Sequence, residues 1–373
     1  MHTFKRRAVK GTDMKKKILC LLLALSMTAV SLCGCGPKEN VPKGETVSVT
    51  DCAGRTVDVP KDPQSICCVC PFSGSLVVMF GLGDRMTTTC NNVWRSNLLK
   101  AICPSVADMT VVKNNGSLNA EAVMSLKTDL IIINDGMYAS EDERKKLDSL
   151  GIPYVVIGFT DIESQLDAIE ILGKVLGSEE EAGEYIDWCR NTYSEVRTAL
   201  SASLGPKISL YHAVNEATRT DYDGSICAEW IAMTGVRNVS LGSELKLEGE
   251  KAYTTLEQIY SWDPDMIICN EPGVDDYILS DPKWAGLRCV REAKVYQIPV
   301  GVARMGHPTS TETPLALMWL AELLYPELYD IDYVQVLKDY YHRFYDYDIS
   351  DDTAEAIIEG DEMRAAKPSG SVE

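Results

Sequence analysis

Apolar runs of four to seven residues recur along the chain, and most of them are followed by a loop and a segment with helical spacing of apolar positions. Buried strands are predicted at 65–70, 86–90, 130–133, 152–158, 207–213, 266–269 and 293–299. Strands that alternate with helices of this length are typical of a parallel α/β sheet. Before them, VSVTDCAGRTVDVP alternates polar and apolar residues and predicts a hairpin that turns near Ala53 and Gly54.

One part of this pattern occurs twice, 136 residues apart. AEAVMSLKTDLIIIND runs from Ala120 to Asp135, and LEQIYSWDPDMIICNE runs from Leu256 to Glu271. Each copy predicts a short helix with a glutamate at its second position, then an aspartate, a buried strand and an amide. A repeat this long indicates two similar domains, because solenoid repeats recur every 20 to 50 residues or so. The aligned polar pairs are Glu121 and Glu257, Asp129 and Asp265, and Asn134 and Asn270.

Between the two copies the strands stop and two helices follow each other. TDIE at 160–163 predicts a capping box that opens the first helix, and SEEE from Ser178 opens a second of about twenty residues, roughly 30 Å long. The second helix ends before Gly205 and Pro206. The predicted organisation is therefore a signal peptide at 1–34, a flexible linker at 35–47, an N-terminal α/β lobe at 48–160, connecting helices at 161–204, a C-terminal α/β lobe at 205–360 and a disordered tail at 361–373.

Length and charge narrow the possible partners. A chain of 373 residues suits two domains of about 150 each. The formal net charge is −19, with 55 acidic against 36 basic residues, which argues against a nucleic-acid partner or a basic membrane-binding face.

The first 35 residues have the pattern of an export signal. Seven basic residues precede the apolar run from Ile18 to Leu32, which is short for a transmembrane helix of about 20 residues. The following LCGC resembles a bacterial lipobox, with Gly34 before a lipidated Cys35. We expect an exported protein, lipid-anchored through Cys35 to the outer face of the cytoplasmic membrane; an ordinary secretory signal is the alternative. Removal of residues 1–34 takes away seven positive charges and one negative, which leaves a charge of −25.

The cysteines do not predict a metal site. Of 13 cysteines, three fall in the signal and lipobox, and ten remain. Cys67, Cys68 and Cys70 are close together, but adjacent side chains of a strand point to opposite faces, and no CxxC pair or nearby histidine completes a tetrahedral set. We expect them to be small buried hydrophobic residues, with no bound metal or cofactor, and the sequence predicts no disulfide pairing.

Taken in order, these segments resemble a known family. The lipobox, VTDCAGRTVDVP, the two E-x7-D phrases, the single long connector, KVYQIP and the closing TPLALMWLAELLYPELYDIDY and FYDYDIS are similar to the substrate-binding lipoproteins of ABC importers for iron-siderophores, haem and cobalamin. The resemblance covers about residues 46–360. It implies two α/β lobes with parallel sheets, joined by one long connecting helix, with the ligand in the cleft between them. It also implies a monomer that docks on the permease through one glutamate at each lobe tip, here Glu121 and Glu257.

An enzyme is the competing class. The sequence contains no P-loop, no GxGxxG after a strand, no HExxH and no GxSxG elbow. A binding protein is therefore expected, and a two-lobed enzyme acting on a metal chelate is the alternative.

The candidate ligand-binding residues lie in loops after strands, because ligands of open parallel sheets bind beyond the carboxyl ends of the strands. Aromatic side chains would stack on a chelate, and arginines would pair with its carboxylates or catecholates. The resemblance favours a ferric siderophore, with haem or a corrinoid as alternatives. The chain departs from the iron-complex binders at Gly-Val-Ala-Arg-Met-Gly-His, which stands after the last strand in place of an aromatic segment. The candidates are Phe72, Trp94, Asn134 and Tyr138 in the first lobe, and Tyr211, His212, Arg219, Asn270, Arg304 and His307 in the second.

Overall fold

The computed structural model describes residues 44–114, 116–203, 208–249, 251–360 and 363–364. The predicted signal peptide, Cys35, most of the predicted linker and most of the predicted tail lie outside the described residues. The described residues belong to one compact unit. Within them, no helix is both long and apolar enough to cross a membrane.

The N-terminal lobe is built on a five-stranded parallel sheet with the order β5-β4-β3-β8-β9. The predicted hairpin forms β1 and β2, which pair antiparallel, and β1 already begins within the segment predicted as linker. A second small hairpin joins β6 and β7. The strands of this lobe are β1 (Thr46–Thr50), β2 (Thr56–Pro60), β3 (Ile66–Cys68), β4 (Met86–Thr89), β5 (Thr110–Val111), β6 (Lys113–Asn114), β7 (Ser117–Leu118), β8 (Leu130–Asn134) and β9 (Tyr154–Ile157).

Short helices follow the strands of this sheet. The first begins at Pro71, a residue that suits the first turn of a helix because its missing N–H would have no partner there. The helices are α1 (Pro71–Met79), α2 (Asn91–Arg95), α3 (Asn97–Ile102), α4 (Ala120–Ser125), α5 (Asp135–Ala139) and α6 (Glu141–Leu150), with 3₁₀ turns at Gly83–Arg85 and Pro104–Asp108.

Two consecutive helices connect the lobes, as predicted: α7 (Ile162–Leu176) and the 21-residue α8 (Glu179–Ala199), which runs into a 3₁₀ turn at Leu200–Ser203. The predicted capping box of α7 is wrong by one residue. Asp161, not Thr160, is the N-cap, and its Oδ1 accepts from the backbone N–H of Ser164 at 2.8 Å. The Ser164 hydroxyl accepts in return from the Asp161 N–H at 3.2 Å, so a serine takes the place expected for Glu163.

The C-terminal lobe contains a four-stranded parallel sheet with the order β12-β10-β15-β16 and a three-stranded antiparallel sheet with the order β11-β14-β13. The strands are β10 (Ser209–Ala213), β11 (Arg219–Thr220), β12 (Arg237–Asn238), β13 (Lys246–Glu248), β14 (Lys251–Tyr253), β15 (Met266–Cys269) and β16 (Val295–Gln297). The helices are α9 (Ile226–Ala232), α10 (Leu256–Trp262), α11 (Val274–Ser280), α12 (Arg288–Arg291), α13 (Thr313–Leu324), α14 (Tyr333–Tyr345) and α15 (Asp351–Glu359).

The hydrophobic core is continuous from one lobe to the other. One face of each parallel sheet contributes to a single cluster of buried side chains, which also contains residues of α7, α8, α13 and α14. The opposite faces have separate smaller cores, one in each lobe. Cys67 and Cys68 lie in different clusters, so their thiols point to opposite faces of the sheet, as expected for neighbours in a strand. The connecting helices are therefore packed elements of a shared core.

The repeated sequence folds in the same way twice. Asn119 caps α4 by accepting from the Ala122 N–H at 3.1 Å, and Thr255 caps α10 by accepting from the Gln258 N–H at 3.2 Å. Both strands of the repeat, β8 and β15, are central strands of their sheets. The carboxyl ends of β8 and β15 therefore occupy corresponding places in the two lobes, where a ligand of this fold class would lie.

Candidate ligand-binding site

A small cavity of about 10 Å³ lies where loops of the two lobes meet. The N-terminal lobe contributes residues of α1 and α2, which follow β3 and β4, and the C-terminal lobe contributes the loop after β16. The cavity leaves room for about one water molecule in this conformation. Its lining consists of Pro71, Ser75, Asn92, Val93, Val302, Ala303, Arg304, His307, Thr309 and Arg364.

The loop after β16 is held from beneath by Glu312, which is fully buried. Its carboxylate accepts from the backbone N–H groups of Val302 at 3.2 Å and Ala303 at 3.0 Å, and from the hydroxyl of Tyr341 at 2.5 Å. A Cβ at Gly301 would collide with this carboxylate and that hydroxyl, so glycine permits the close approach. Burial raises the pKa of Glu312 to about 7, although the three hydrogen bonds oppose the shift. The backbone just before Arg304 is thereby fixed.

Arg304 is the centre of a polar network at the cavity, and only 3% of its surface is exposed. Its Nη1 donates to Asn215 Oδ1 and to Glu271 Oε2. Its Nη2 lies 3.0 Å from Nε2 of His307. Since a guanidinium can only donate, His307 Nε2 is the acceptor. Nδ1 of the same ring accepts from the backbone N–H of Thr309 at 3.2 Å and lies 3.0 Å from Thr309 Oγ1. Burial, followed by the charge of Arg304, lowers the pKa of His307 well below its usual range, which keeps the ring neutral.

Glu271 also reaches across to the other lobe. Its Oε1 lies 3.5 Å from Nη2 of Arg95 on α2, so its carboxylate stands between guanidiniums of both lobes. Arg95 and Glu271 are 4% and 8% exposed, and this pair is therefore shielded from water. Two more arginines, Arg219 and Arg364, are close enough to depress the pKa of His307 further. The described residues thus give an acidic protein a locally basic cleft.

Two buried polar atoms near the ends of neighbouring strands lack hydrogen-bond partners among the described residues: Nδ2 of Asn270 and Nε2 of His212. Asn270 Oδ1 accepts from the Asn215 N–H at 3.0 Å, which links Asn270 to the loop that contacts Arg304. Nδ1 of His212 lies 3.0 Å from the carboxylate of Asp221, whose Oδ2 also accepts from Asn238 Nδ2 at 2.8 Å.

Within the described residues, only one group of side chains has possible metal-ligand atoms close enough together to hold a metal ion. The possible ligand atoms of His212, Asp221 and Cys227 lie within 4.8 Å of one another, on β10, after β11 and on α9. Nitrogen, oxygen and sulfur ligands of this kind suit a transition-metal ion such as Zn²⁺. All three residues are buried, and the Cys227 thiol donates to the Gly306 carbonyl at 3.1 Å. Burial, together with the nearby Asp221, raises the pKa of that thiol well above its usual value, which opposes metal binding at neutral pH.

The structure brings four of the ten predicted ligand-binding residues to this region. Arg304 and His307 line the cavity. Asn270 is linked to Arg304 through Asn215, and Arg219 is close enough to His307 to lower the pKa of its ring. His212 is fully buried, and its contact is with Asp221.

The remaining five predicted residues do not line the cavity. Phe72 packs against Phe159 with ring centroids 4.6 Å apart, and Asn134 caps α5. Trp94 lies under the ammonium group of Lys100 and donates to the Ala107 carbonyl at 3.3 Å. The ring of Tyr138 is covered by the guanidiniums of Arg55 and Arg144. Tyr211 is fully buried and donates to the Ala217 carbonyl at 3.0 Å.

Several cleft residues were not predicted from the sequence. Glu271 follows Asn270 directly, and Arg95 follows Trp94, so each stands next to a residue that was predicted. Arg364 falls in the segment predicted as a disordered tail, yet its Nη2 donates to Asn92 Oδ1 at 3.1 Å. The carbonyl of its neighbour Met363 accepts from the Asn97 N–H at 2.9 Å. No local sequence pattern predicts that residues 363 and 364 pair with residues so far away in the chain.

The two glutamates of the repeat lie away from the cavity. Glu121 and Glu257 are both exposed, and each occupies the first turn of its helix, α4 or α10. A carboxylate in this position is stabilised by the helix N-terminus by about 0.3–1 kcal/mol. Their side chains are therefore available to a partner.

Comparison with known proteins supports the two-lobed reading. A family described as "Periplasmic binding protein" matches residues 69–300. The molybdate-binding protein MolA of Haemophilus influenzae is 23% identical over 354 residues, which span 88% of this chain and 95% of MolA. The Fe(3+)-citrate-binding protein YfmC of Bacillus subtilis is 24% identical over 213 residues, which span 54% of this chain and 63% of YfmC.

Solved structures show the same architecture. A periplasmic solute binding protein from Veillonella parvula superimposes with a TM-score of 0.72 at 26% identity and covers 85% of this chain and 97% of its own. MolA bound to molybdate also has a TM-score of 0.72, at 20% identity, and covers 82% of this chain and 99% of its own. CeuE of Helicobacter pylori with Ni(II) bound has a TM-score of 0.70 at 18% identity, over 84% and 99% of the two chains.

Proposed function

The chain belongs to the periplasmic binding protein family, and from this premise we propose that it captures a small anionic metal species for an ABC importer. Proteins of this family are exported, and they bind solutes for ABC transporters. The observation that carries the proposal is the group of arginines at the interlobe cavity. Arg304 and Arg364 line the cavity. Arg304 and Arg95 both contact the carboxylate of Glu271, and Arg219 is close enough to His307 to lower the pKa of its ring.

The charge distribution supports an anion over a neutral ligand. The chain as a whole has a formal charge of −19, so a cluster of guanidiniums at one place needs a local reason. Buried arginines are costly unless they are paired, and their planar groups suit the oxygens of carboxylates and oxyanions. Charge-assisted hydrogen bonds of this kind contribute about 1.5–3 kcal/mol each. A neutral corrinoid has no net negative charge that would complement these arginines.

A tetrahedral oxyanion such as molybdate is the leading ligand. The predicted aromatic residues that would stack on a flat chelate do not line the cavity, whereas Arg304 and Arg364 do. The molybdate-binding relative aligns with nearly the whole of this chain. A compact ferric complex of the siderophore type, rich in carboxylates, is the second candidate. The sequence resemblance and the ferric-citrate-binding relative favour it. Haem needs an axial ligand and a wide cleft, and it is the third candidate, after the oxyanion and the ferric complex.

Calorimetric titration with a ligand panel tests the proposal. The panel consists of molybdate, sulfate, phosphate, ferric citrate, a ferric catecholate, haem and a corrinoid. We expect saturable binding of one anion and its recovery unchanged, because we propose no catalytic role. Arg304→Ala should weaken this binding by about ten- to a hundredfold and flatten its salt dependence. Arg343→Ala, which removes the same charge from an exposed position, is the matched control. Preference for a neutral ligand, or equal affinity of the two variants, would refute the proposal.

We also propose that the mature protein is a lipoprotein anchored through Cys35. The basic start, the apolar run and LCGC support this, although these residues lie outside the described part of the chain. Cys35→Ser should move the protein from washed membranes to the soluble fraction. Retention of the variant on membranes would contradict lipidation at this residue.

Docking on the permease completes the proposed role. We propose Glu121 and Glu257 as the two contact residues, one on each lobe, and arginines of the transmembrane subunits as their partners. The exposed positions of both side chains and their equivalent places in the repeat support the assignment. Binding in solution would then be independent of docking, since neither residue lines the cavity.

A further inference from the structure

The two copies of the repeat expose side chains in the same pattern. Residues 121–129 and 257–265 agree at every position in being exposed, half-buried or buried, although only Glu, Ser and Asp are identical between them. The backbone agrees as well, because Lys127 and Asp263, at the seventh position of each copy, have positive φ angles of 55° and 42°. The outer surfaces of α4 and α10 are therefore equivalent.

A large apolar side chain is exposed at the same position in each copy. Met124 is 56% exposed and follows Glu121 by one helical turn. Tyr260 is 37% exposed and follows Glu257 in the same way. Residues three apart lie on one face of a helix, so each glutamate has an apolar neighbour. A single exposed apolar residue is common and needs no explanation, but its recurrence at the equivalent position of the other lobe indicates a shared role.

The two apolar side chains differ in freedom. The Tyr260 hydroxyl donates to the Lys283 carbonyl at 2.7 Å and accepts from the Gly286 N–H at 3.0 Å, which fixes the ring while part of it stays exposed. Met124 has three rotatable bonds and can adapt to the shape of a partner. Aromatic residues and methionine are both enriched at protein interfaces, and a ring that is already fixed loses little freedom on binding.

We propose that Met124 and Tyr260 are apolar anchors of the surface that docks on the permease. Each anchor fills an apolar recess of a transmembrane subunit, next to the arginine that pairs with the neighbouring glutamate. This inference rests on the proposed docking role of Glu121 and Glu257. Attraction between opposite charges favours the approach and weakens with salt, whereas burial of apolar surface stabilises the docked complex without such dependence.

The charge beside each anchor favours a basic protein partner over the other possible occupants. An exposed carboxylate one helical turn away would be repelled by an anionic lipid surface. A second copy of the chain that bound through the same surfaces would bring carboxylates together. A recess with an arginine at its edge complements both the charge and the apolar group.

Met124→Ala combined with Tyr260→Ala tests the inference. Binding to the permease in lipid nanodiscs is measured at two sodium chloride concentrations, with all variants in a Cys35→Ser background that removes any contribution from a lipid anchor. We expect affinity to fall by about ten- to a hundredfold with unchanged salt dependence. Glu121→Gln with Glu257→Gln should also weaken binding, but it should flatten the salt dependence.

Two further double variants serve as controls. Leu247→Ala with Leu328→Ala removes apolar side chains that are 62% and 38% exposed but lie outside α4 and α10, and it should leave affinity unchanged. Met124→Leu with Tyr260→Phe keeps the apolar surface and should retain most of the affinity. Tyr260→Phe also loses both hydrogen bonds of the hydroxyl, so it separates loss of local order from loss of the apolar contact.

The outcomes distinguish the anchors from the docking itself. Normal binding by the alanine variant, with the glutamine variant weakened, would overturn the anchor role and leave the proposed docking standing. Equal losses in the alanine variant and the leucine control would also overturn it. Binding to nanodiscs without permease, or self-association, that disappears in the alanine variant would assign these side chains to lipid or to a second copy instead. Absence of permease binding by the parent protein would overturn the proposed docking, and the inference with it.

Discussion

Two buried titratable residues near the cleft have pKa values shifted by burial in opposite directions. Burial raises the pKa of the Glu312 carboxyl to about 7. Burial and neighbouring arginines lower the pKa of the His307 ring well below its usual range. Both groups are thus kept neutral over part of the acidic range, in a cleft whose main charges are guanidiniums and one carboxylate. The loop that presents Arg304 is held by one of them and contacted by the other.

The shift of Glu312 predicts a pH dependence of stability. The usual pKa of a glutamate is 4.5, and the pKa of Glu312 in the folded protein is about 7. At a pH between these two values, the folded protein keeps a proton on Glu312 that the unfolded chain has lost. The free energy of unfolding should therefore fall as pH rises through this window, by about 3 kcal/mol at most, since one pKa unit corresponds to about 1.4 kcal/mol. Glu312→Gln should remove this fall. Urea unfolding of both proteins at pH 5 and pH 8 measures it.

The comparison with the variant is needed because His307 acts in the opposite sense. Below about pH 6.5 the unfolded chain binds a proton at His307 that the folded protein excludes, so this residue lowers stability as pH falls. The difference between wild type and Glu312→Gln cancels the His307 contribution. Replacement of the exposed Glu355 by Gln should leave the pH dependence unchanged. An identical pH profile for Glu312→Gln and wild type would show that the buried carboxyl does not titrate in this window.

Sequence reasoning identified charged cleft residues better than aromatic ones. Arg304 and His307, which the structure places at the cavity, were predicted because they lie in a loop after the last strand and because arginines pair with anionic groups. Tyr211 and Phe72 were predicted for the same cleft but are buried in the cores. Position after a strand does not tell which face a side chain takes, and large aromatic surface is stabilised by burial wherever a core is available. Glu271 was missed because its role depends on Arg95 of the other lobe.

At the scale of elements, the repeated aspartates explain part of the sequence repeat. Asp129 accepts from the backbone N–H groups of Gln64 at 2.9 Å and Ser65 at 3.1 Å, just before β3. Asp265 accepts from the N–H of Ser209 at 2.7 Å and from its hydroxyl at 2.8 Å, at the start of β10. In both lobes the carboxylate therefore holds the amino end of the neighbouring strand, at the edge of the sheet opposite the carboxyl ends of its strands.

The two aspartates should differ in importance. Asp265 also pairs with Arg288 at 2.5 Å, and the pKa of its carboxyl is lowered to about 2, as burial is outweighed by Arg288 and Ser209. Asp265→Ala should cost about 2 kcal/mol of unfolding free energy and Asp129→Ala about 1, after allowance for partial exposure of the ion pair. Urea unfolding at pH 7 measures both. The Asp265 contribution should fade as pH falls from about 4 to 2. A larger cost for Asp129→Ala would contradict this ranking.

The elements themselves were largely predictable, and the exceptions have physical reasons. The long periodic helices α7 and α8 and the apolar strands β8 and β15 were predicted because burial on one face or two leaves a clear pattern. The antiparallel sheet of β11, β13 and β14 was missed, since strands of two or three residues are too short to show a period. The capping box of α7 was misplaced by one residue because threonine and aspartate, both good N-caps, stand next to each other.

At the scale of the whole molecule, the continuous core limits how the lobes move. Buried side chains of both sheets and of the connecting helices belong to one cluster. An interface of this kind does not separate freely, so ligand entry requires a limited rearrangement at the cleft, where Glu271 and Arg95 join the lobes. Charge is also unevenly distributed between the whole chain and the cleft. The chain as a whole has a formal net charge of −19, whereas Arg304 and Arg364 line the cavity and Arg95 pairs with Glu271 beside Arg304.

Docking on the permease through both lobes, as proposed, can be tested with charge-reversed variants. If Glu121 and Glu257 pair with arginines of the transmembrane subunits, then Glu121→Lys combined with Glu257→Lys should abolish ligand uptake by reconstituted transporter. Affinity for the ligand in solution should stay near the wild-type value, because both side chains are exposed and neither lines the cavity. Like charges facing the permease arginines would repel, which costs several kcal/mol at a close contact.

The control for this experiment must change the charge equally without touching the proposed docking positions. Glu141 and Glu179 are exposed first-turn glutamates of α6 and α8, so Glu141→Lys with Glu179→Lys makes the same substitutions at the same kind of helical position. We expect this control to keep most of its uptake. If both double variants lose uptake equally, net charge rather than docking is responsible. If the Glu121 and Glu257 variant transports normally, the repeated glutamates serve only their helices, as favourable charges at the N-termini.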